Sequence, residues 1–228
     1  MDAFDKSLFD KVSWNATGAE IERESFRRIE EEAGELRTRF DDNEWRVARR
    51  LIHTTADSAV AKLLRFRMNP AEAAVSALRR GAPIYADSNM IKSGISVPKL
   101  KKINPSYERE AIMCHVADPD VAETAKRNGS TRALAAVGKA ARELDGAVVL
   151  IGNAPLALAR VVQLAVEEGL APAVIVGMPV GFVNVLESKA LLAELENVPA
   201  VWLEGRRGGS ALAVATLHAM MEIELEKV

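Results

Sequence analysis

Cysteine is almost missing from this 228-residue chain, in which Cys114 stands alone. A lone cysteine excludes an intramolecular disulfide and a cysteine-built metal site, and its apolar surroundings, AIMCHV, suit a buried thiol better than a nucleophile. Aromatic residues make up only 5% and the formal net charge is −2, so the chain has neither the base-stacking platforms nor the broad positive field of nucleic-acid binders. No nucleic-acid partner is expected. Although 49% of residues are hydrophobic, no run reaches the ~18 consecutive apolar residues of a membrane span. The acidic opening MDAFDKSLFD also lacks the basic and apolar regions of a secretory signal. The expectation is a soluble, cytoplasmic protein with no membrane partner. Neither GxGxxG nor GxxxxGK[ST] occurs, so nicotinamide, flavin and P-loop phosphate sites lack their fingerprints. His53, His115 and His218 are too far apart in sequence to suggest a metal site, and GGSAL falls short of the serine-hydrolase elbow.

What is there is alternation. Thr17 followed by Glu20 forms a capping box that opens a helix, with Ile21, Ser25, Phe26, Ile29 and Ala33 as its apolar stripe. A second helix is predicted from Asp42 to about Thr54, and Pro70 starts a third that stops at Gly81. Strands are then predicted at Pro83–Ala86, Ala111–Val116, Ala147–Ile151, Ala173–Val176 and Ala200–Leu203, with helical patterns between them and a last helix over Ser210–Leu225. The expected fold is a three-layer α/β/α sandwich around a five-stranded parallel, flavodoxin-like sheet, preceded by an all-helical segment. No linker-like stretch, repeat or low-complexity tract interrupts it. Residues 1–228 therefore read as a single domain, helical over about 17–81 and α/β over about 82–228.

A parallel sheet gathers ligands at the carboxyl ends of its strands. Those ends carry Asp87, Asp118, Gly152-Asn153, Gly177-Met178-Pro179 and Gly205 to Gly209, which are expected to form one rim. Met178, Pro179, Val180 and Phe182 suit either a ring-shaped ligand face or plain core. Arg132 opens one helix and Arg206-Arg207 precede Gly208-Gly209 at the start of another. Cations at helix N-termini oppose the macrodipole, so a ligand carboxylate held by guanidinium and backbone N–H groups would account for them. On the second helix, Arg46, Arg49, Arg50 and His53 share one face and Trp45, Val47, Ala48, Leu51 and Ile52 the other. Two readings fit that face: a solvated charged surface, or a site whose His53 is hydrogen-bonded by Asp57 four residues on.

Several of these motifs together, IERESFRRIE, RRLIHTTAD, GAPIYADSNMIKSGI, NGSTRALAA, AVVLIGNAP, AVIVGMPVGF and GRRGGSA, resemble the precorrin-8X methylmutase family in content and order, from about Ile21 to His218. The resemblance implies an isomerase of corrin biosynthesis that moves a methyl group from carbon 11 to carbon 12 of precorrin-8X or cobalt-precorrin-8. It implies no cofactor, His53 as the catalytic proton donor and acceptor, and a homodimer with sites near the subunit boundary. Ser25 falls at a substrate-binding position, joined in the expected site by Asp87, Arg132, Asn153, Met178, Arg206, Arg207, Gly208 and Gly209. After His53 this chain reads TTAD where some members have a small Ala-Cys-Gly turn. The alternative is a corrinoid-binding or carrier protein without turnover.

Overall fold

The computed structural model describes residues 5–227. What was expected of the acidic opening therefore rests partly on residues 1–4, which lie outside the described residues. In chain order the elements are α1 (Gly18–Ala33), α2 (Asp42–Thr55), α3 (Ala59–Leu63), β1 (Leu64–Arg67), α4 (Pro70–Arg79), β2 (Ile84–Ala86), α5 (Asn89–Gly94), α6 (Val97–Ile103) and β3 (Ile112–Met113). There follow α7 (Pro119–Arg127), α8 (Arg132–Ala140), β4 (Val148–Ile151), α9 (Pro155–Glu167), β5 (Val174–Gly177), α10 (Val185–Glu194), β6 (Ala200–Leu203) and α11 (Ser210–Leu225). Short 3-10 turns make up several of the joints.

Capping chemistry sets the first helices. Thr17 and Glu20 exchange backbone and side-chain hydrogen bonds at the start of α1, and Asp41 and Glu44 do the same for α2. α2 buries Trp45, Val47, Ala48, Leu51 and Ile52. Full burial of each larger aliphatic among them is worth ~1.5–3 kcal/mol. On α1, Glu22, Phe26 and Glu30 meet the arginines of α2, Ser25 beside them meets His53, and Ile29 and Ala33 join the core, while Ile21 of the expected stripe is left exposed.

The sheet corrects the expectation of five parallel strands. It has six, in the order β1-β6-β5-β4-β2-β3, and β1 pairs antiparallel with β6 in the register Leu64 to Leu203 through Arg67 to Ala200. The other pairs are parallel. β1 is the sequence LRFR, which falls in the segment expected to be all helical. Its Leu64 is buried, Arg65 pairs with Glu204 at 2.6 Å, and Arg67 donates to the Leu192 and Ala193 carbonyls that end α10. Charged residues on a short edge strand block further pairing.

The pleat of the sheet sorts its side chains between two cores. Ile84, Ala86, Val148, Leu150, Val174, Val176, Val201 and Leu203 pack with residues of α2, α4, α5, α6 and α11 on one face. Tyr85, Val149, Ile151, Ile175, Ala200 and Trp202 pack with α8, α9 and α10 on the other. Helices thus cover both faces. The strand order reverses at β2, whose neighbours are β3 and β4, and that switch point opens the loops after β2 and β4 to a ligand.

Candidate active site

His53 lies in the last turn of α2, and Ser25 of α1 reaches it: Ser25 Oγ stands 2.7 Å from His53 Nδ1 in a half-buried contact. Phe26 meets the imidazole edge to face at 5.3 Å between ring centres, while Arg49 and Arg50 stack over Phe26 at 4.4 and 4.8 Å. These contacts fix the ring and occupy Nδ1, and no hydrogen bond among the described residues takes Nε2. A hydroxyl accepts from an Nδ1–H as readily as it donates to a bare Nδ1. For a histidine that gives up and retakes a proton at Nε2, Nδ1 keeps its hydrogen and donates it to Ser25 Oγ. The pair borders a cleft of about 250 Å³ whose walls include Ile29, Ala33, Ile52 and Ala56. A larger groove of about 650 Å³ between α7 and α8 contains Lys139, but Asp118 and Asp120 already neutralise it.

The basic stripe of α2 is not an open anion site. Arg46 pairs with Glu226, Arg49 with Glu30 at 2.9 Å, and Arg50 bridges Glu22 at 2.5 Å and Glu222. Nor does Asp57 reach His53. α2 ends at Ala56, whose φ of 51° turns the chain away, and Asp57 accepts from Arg207 at 2.5 Å and from the Ala59 N–H at 2.8 Å. The Ala59 N–H and Arg207 hold its carboxyl below the usual range. The ion pair ties the Gly205–Gly209 loop to the end of the helix that carries His53.

Four of the five strand-end turns interlock. Asp87, only 1% exposed, accepts the N–H groups of Gly152 at 3.0 Å, Asn153 at 2.9 Å and Ala154 at 2.6 Å. Burial pushes its carboxyl up from the usual range, and those three donors, at the N-terminus of α9, pull it back. Ser88 Oγ is 3.0 Å from Ser210 Oγ, the Gly209 N–H donates to Met178 O at 2.7 Å, and the Gly181 N–H to Arg206 O at 3.3 Å. Gly208 sits so close to the next loop that a Cβ there would lie 2.2 Å from Met178 O and 2.5 Å from Pro179 O. The fifth turn goes its own way, with Asp118 bonded to His115 at 2.9 Å and to Lys139.

Two expected ligand contacts fall elsewhere. Met178 is completely buried in the core on the α11 face, and Asp87 spends both oxygens on the loop after β4. Asn153, Arg206 and Arg207 are exposed along the rim, and Arg206 lies over the ring of Phe182 at 5.5 Å, itself 84% exposed. Arg132 is exposed at the start of α8, and among the described residues no hydrogen bond or ion pair ties it to the interlocked turns. Cys114 is half-buried, and burial raises its pKa, as suits a packed thiol.

Sequence reading missed Lys189, a buried cation of α10 bonded to the Gly205 and Arg207 carbonyls. Its signal was helical spacing: Val185, Ser188 and Leu192 place position 189 on the inner face.

A two-core α/β sheet with an oriented, half-buried histidine beside an arginine-edged rim defines an α/β enzyme. Comparison with known proteins agrees. The family profile of precorrin-8X methylmutase matches residues 20–223. A cobalt-precorrin-8 methylmutase of Leptospira interrogans is 40% identical over 211 residues, 90% of this chain and 93% of the relative. A precorrin-8X methylmutase of Pseudomonas aeruginosa is 36% identical over 92% of this chain and 97% of its own. The crystal structure of a precorrin-8X methylmutase from Thermus thermophilus superposes with a TM-score of 0.79 at 42% identity, covering 92% of this chain and 98% of that one. The chain belongs to the precorrin-8X methylmutase family, and it is an isomerase of cobalamin biosynthesis that shifts a methyl group.

Proposed function

We propose that the enzyme holds precorrin-8X or cobalt-precorrin-8 over the His53 cleft and moves its methyl group from carbon 11 to carbon 12, giving hydrogenobyrinic or cobyrinic acid. The observation that carries this reading is the Ser25–His53 contact, which fixes Nδ1 and leaves Nε2 free at the cleft. His53 gives a proton from Nε2 to the conjugated ring, the methyl migrates with its bonding pair in a 1,5-shift, and the proton returns to Nε2. Nothing is oxidised or reduced. General acid catalysis of this kind is worth ~10²–10⁴-fold, and the remainder comes from holding the ring in its reactive geometry.

Arg132, Arg206, Arg207, Asn153 and the backbone of Gly208-Gly209 are the groups proposed to take the carboxylates at the ring's edge. Ser25 acts through His53, and Asp87 through the loop it anchors. A cleft of about 250 Å³ lies below the ~300–1,000 Å³ of ordinary ligand pockets, so a tetrapyrrole must extend over the open rim. We propose further that a second subunit completes the site in a homodimer, and that the chain is a single domain working in the cytoplasm without a nucleic-acid partner. Among the described residues no helix is long and apolar enough to cross a membrane.

The test is His53→Ala and His53→Asn, assayed by visible absorption for conversion of the precorrin to the corrin chromophore with metal-free and cobalt substrate. Both variants are expected to bind substrate and to turn over ~10²-fold or more slowly. Turnover within a few-fold of the parent would place the proton donor elsewhere. A carrier without turnover would show binding alone in the parent.

A further inference from the structure

Lys189 is 3% exposed, on the inner face of α10 with Val185, Ser188 and Leu192. An ammonium taken out of water is costly unless its hydrogens find acceptors. Among the described residues no carboxylate supplies them; Nζ donates to Gly205 O at 2.8 Å and Arg207 O at 2.7 Å. The two carbonyls flank Arg206, so one point charge pins the backbone on both sides of it. The same loop is held from the β5 side by the Gly181 N–H on Arg206 O and by Gly209 N–H on Met178 O, and from α2 by the Arg207–Asp57 pair. Asp87 is the mirror case, a buried anion that gathers three N–H groups of the loop after β4.

We propose that Lys189 is a positioning residue: its buried ammonium fixes the Gly205–Arg207 backbone and thereby sets where the guanidinium groups of Arg206 and Arg207 stand for the substrate's carboxylates. The proposal rests on the reading that these arginines bind the ring's edge. Lys189 itself touches no ligand, because its Nζ is enclosed beneath the loop. Burial lowers its pKa to about 8, because the charged form loses water on entering the core.

Two measurements on the full-length enzyme test it, with Lys189→Met, which keeps the length and removes the charge, and Lys189→Gln, which keeps one donor group. In hydrogen exchange, the amides of Gly181 and Gly209 should exchange ~10–100-fold faster in Lys189→Met, as expected when hydrogen bonds to a charged group are lost, while α9 keeps its protection. In kinetics, KM should rise ~10-fold with kcat nearly unchanged, because the loop binds ground and transition states alike. That rise should vanish in an Arg206→Ala/Arg207→Ala background, through which Lys189 acts. If Lys189→Met loses protection throughout, Lys189→Gln decides by the same comparison of loop with α9. Unchanged loop exchange, or a fall in kcat at constant KM, overturns the proposal. Faster loop exchange with unchanged KM sustains the positioning role and overturns instead the assignment of these arginines to the substrate.

Discussion

Replacing Ser25 with alanine separates two roles for that hydroxyl. If Ser25 orients His53, its loss removes the acceptor of Nδ1–H at 2.7 Å and frees the imidazole to turn or to adopt the tautomer that cannot retake a proton at Nε2. A hydrogen bond between neutral groups contributes ~0.5–1.5 kcal/mol and one to a charged imidazole ~1.5–3 kcal/mol. The contact is only half-buried, so water replaces part of it. A net loss of ~1–2 kcal/mol follows, or ~5–30-fold in kcat. KM should barely move, since the groups proposed to hold the ring's carboxylates lie elsewhere. Steady-state assays of Ser25→Ala, His53→Ala and the double variant give the cycle. The double variant should be no slower than His53→Ala, because Ser25 has nothing left to orient. If Ser25→Ala instead raises KM at constant kcat, and weakens substrate binding equally in the His53→Ala background, Ser25 is a substrate ligand and the orientation argument is wrong.

Ala56→Gly should stabilise the protein by ~0.5–1 kcal/mol, because alanine is strained at the φ of 51° that ends α2 and glycine is not; an unchanged urea midpoint would contradict this. Gly208→Ala should destabilise by ~1–3 kcal/mol or more and weaken substrate binding, since the new Cβ would meet two backbone oxygens and push the arginine loop outward; calorimetry and substrate titration read the two effects. His218 is held at a pKa of about 4 by burial and by Lys99 and Arg50, with Glu222 opposing, and its neutral Nε2 accepts the Ser96 N–H at 3.1 Å. Because the folded value lies below the ordinary one of about 6.5, its contribution is full above pH 6.5 and is lost as pH falls toward 4, up to ~3 kcal/mol. His218→Gln, which can still accept that hydrogen bond, should flatten the fall of the melting temperature over this window.

The sequence by itself determined whatever depends on neighbours a few residues apart. The Thr17–Glu20 cap placed the start of α1, residue patterning predicted helices from Asp42 to about Thr54 and from about Ser210 to Leu225 where α2 and α11 stand, and short apolar runs marked β2 to β6. The same local patterns located the turns at the strand ends, and the motifs that carry the family lie largely in those turns and on α1 and α2. Only the tertiary structure decided which distant groups meet. β1 is four residues with two arginines, too short and too charged to show a strand pattern, and it exists because β6 offers a free edge. Asp57, four residues from His53, turns instead to Arg207, 150 residues away, because Ala56 ends the helix between them. Arg50 finds Glu222 at a separation of 172, which turns an apparently open basic face into an internal network. Met178 and Lys189 show the same limit from opposite sides. Helical or strand spacing says which way a side chain points, but whether it meets core, carbonyls or ligand depends on the element packed opposite, and that is set by contacts between segments far apart in the chain.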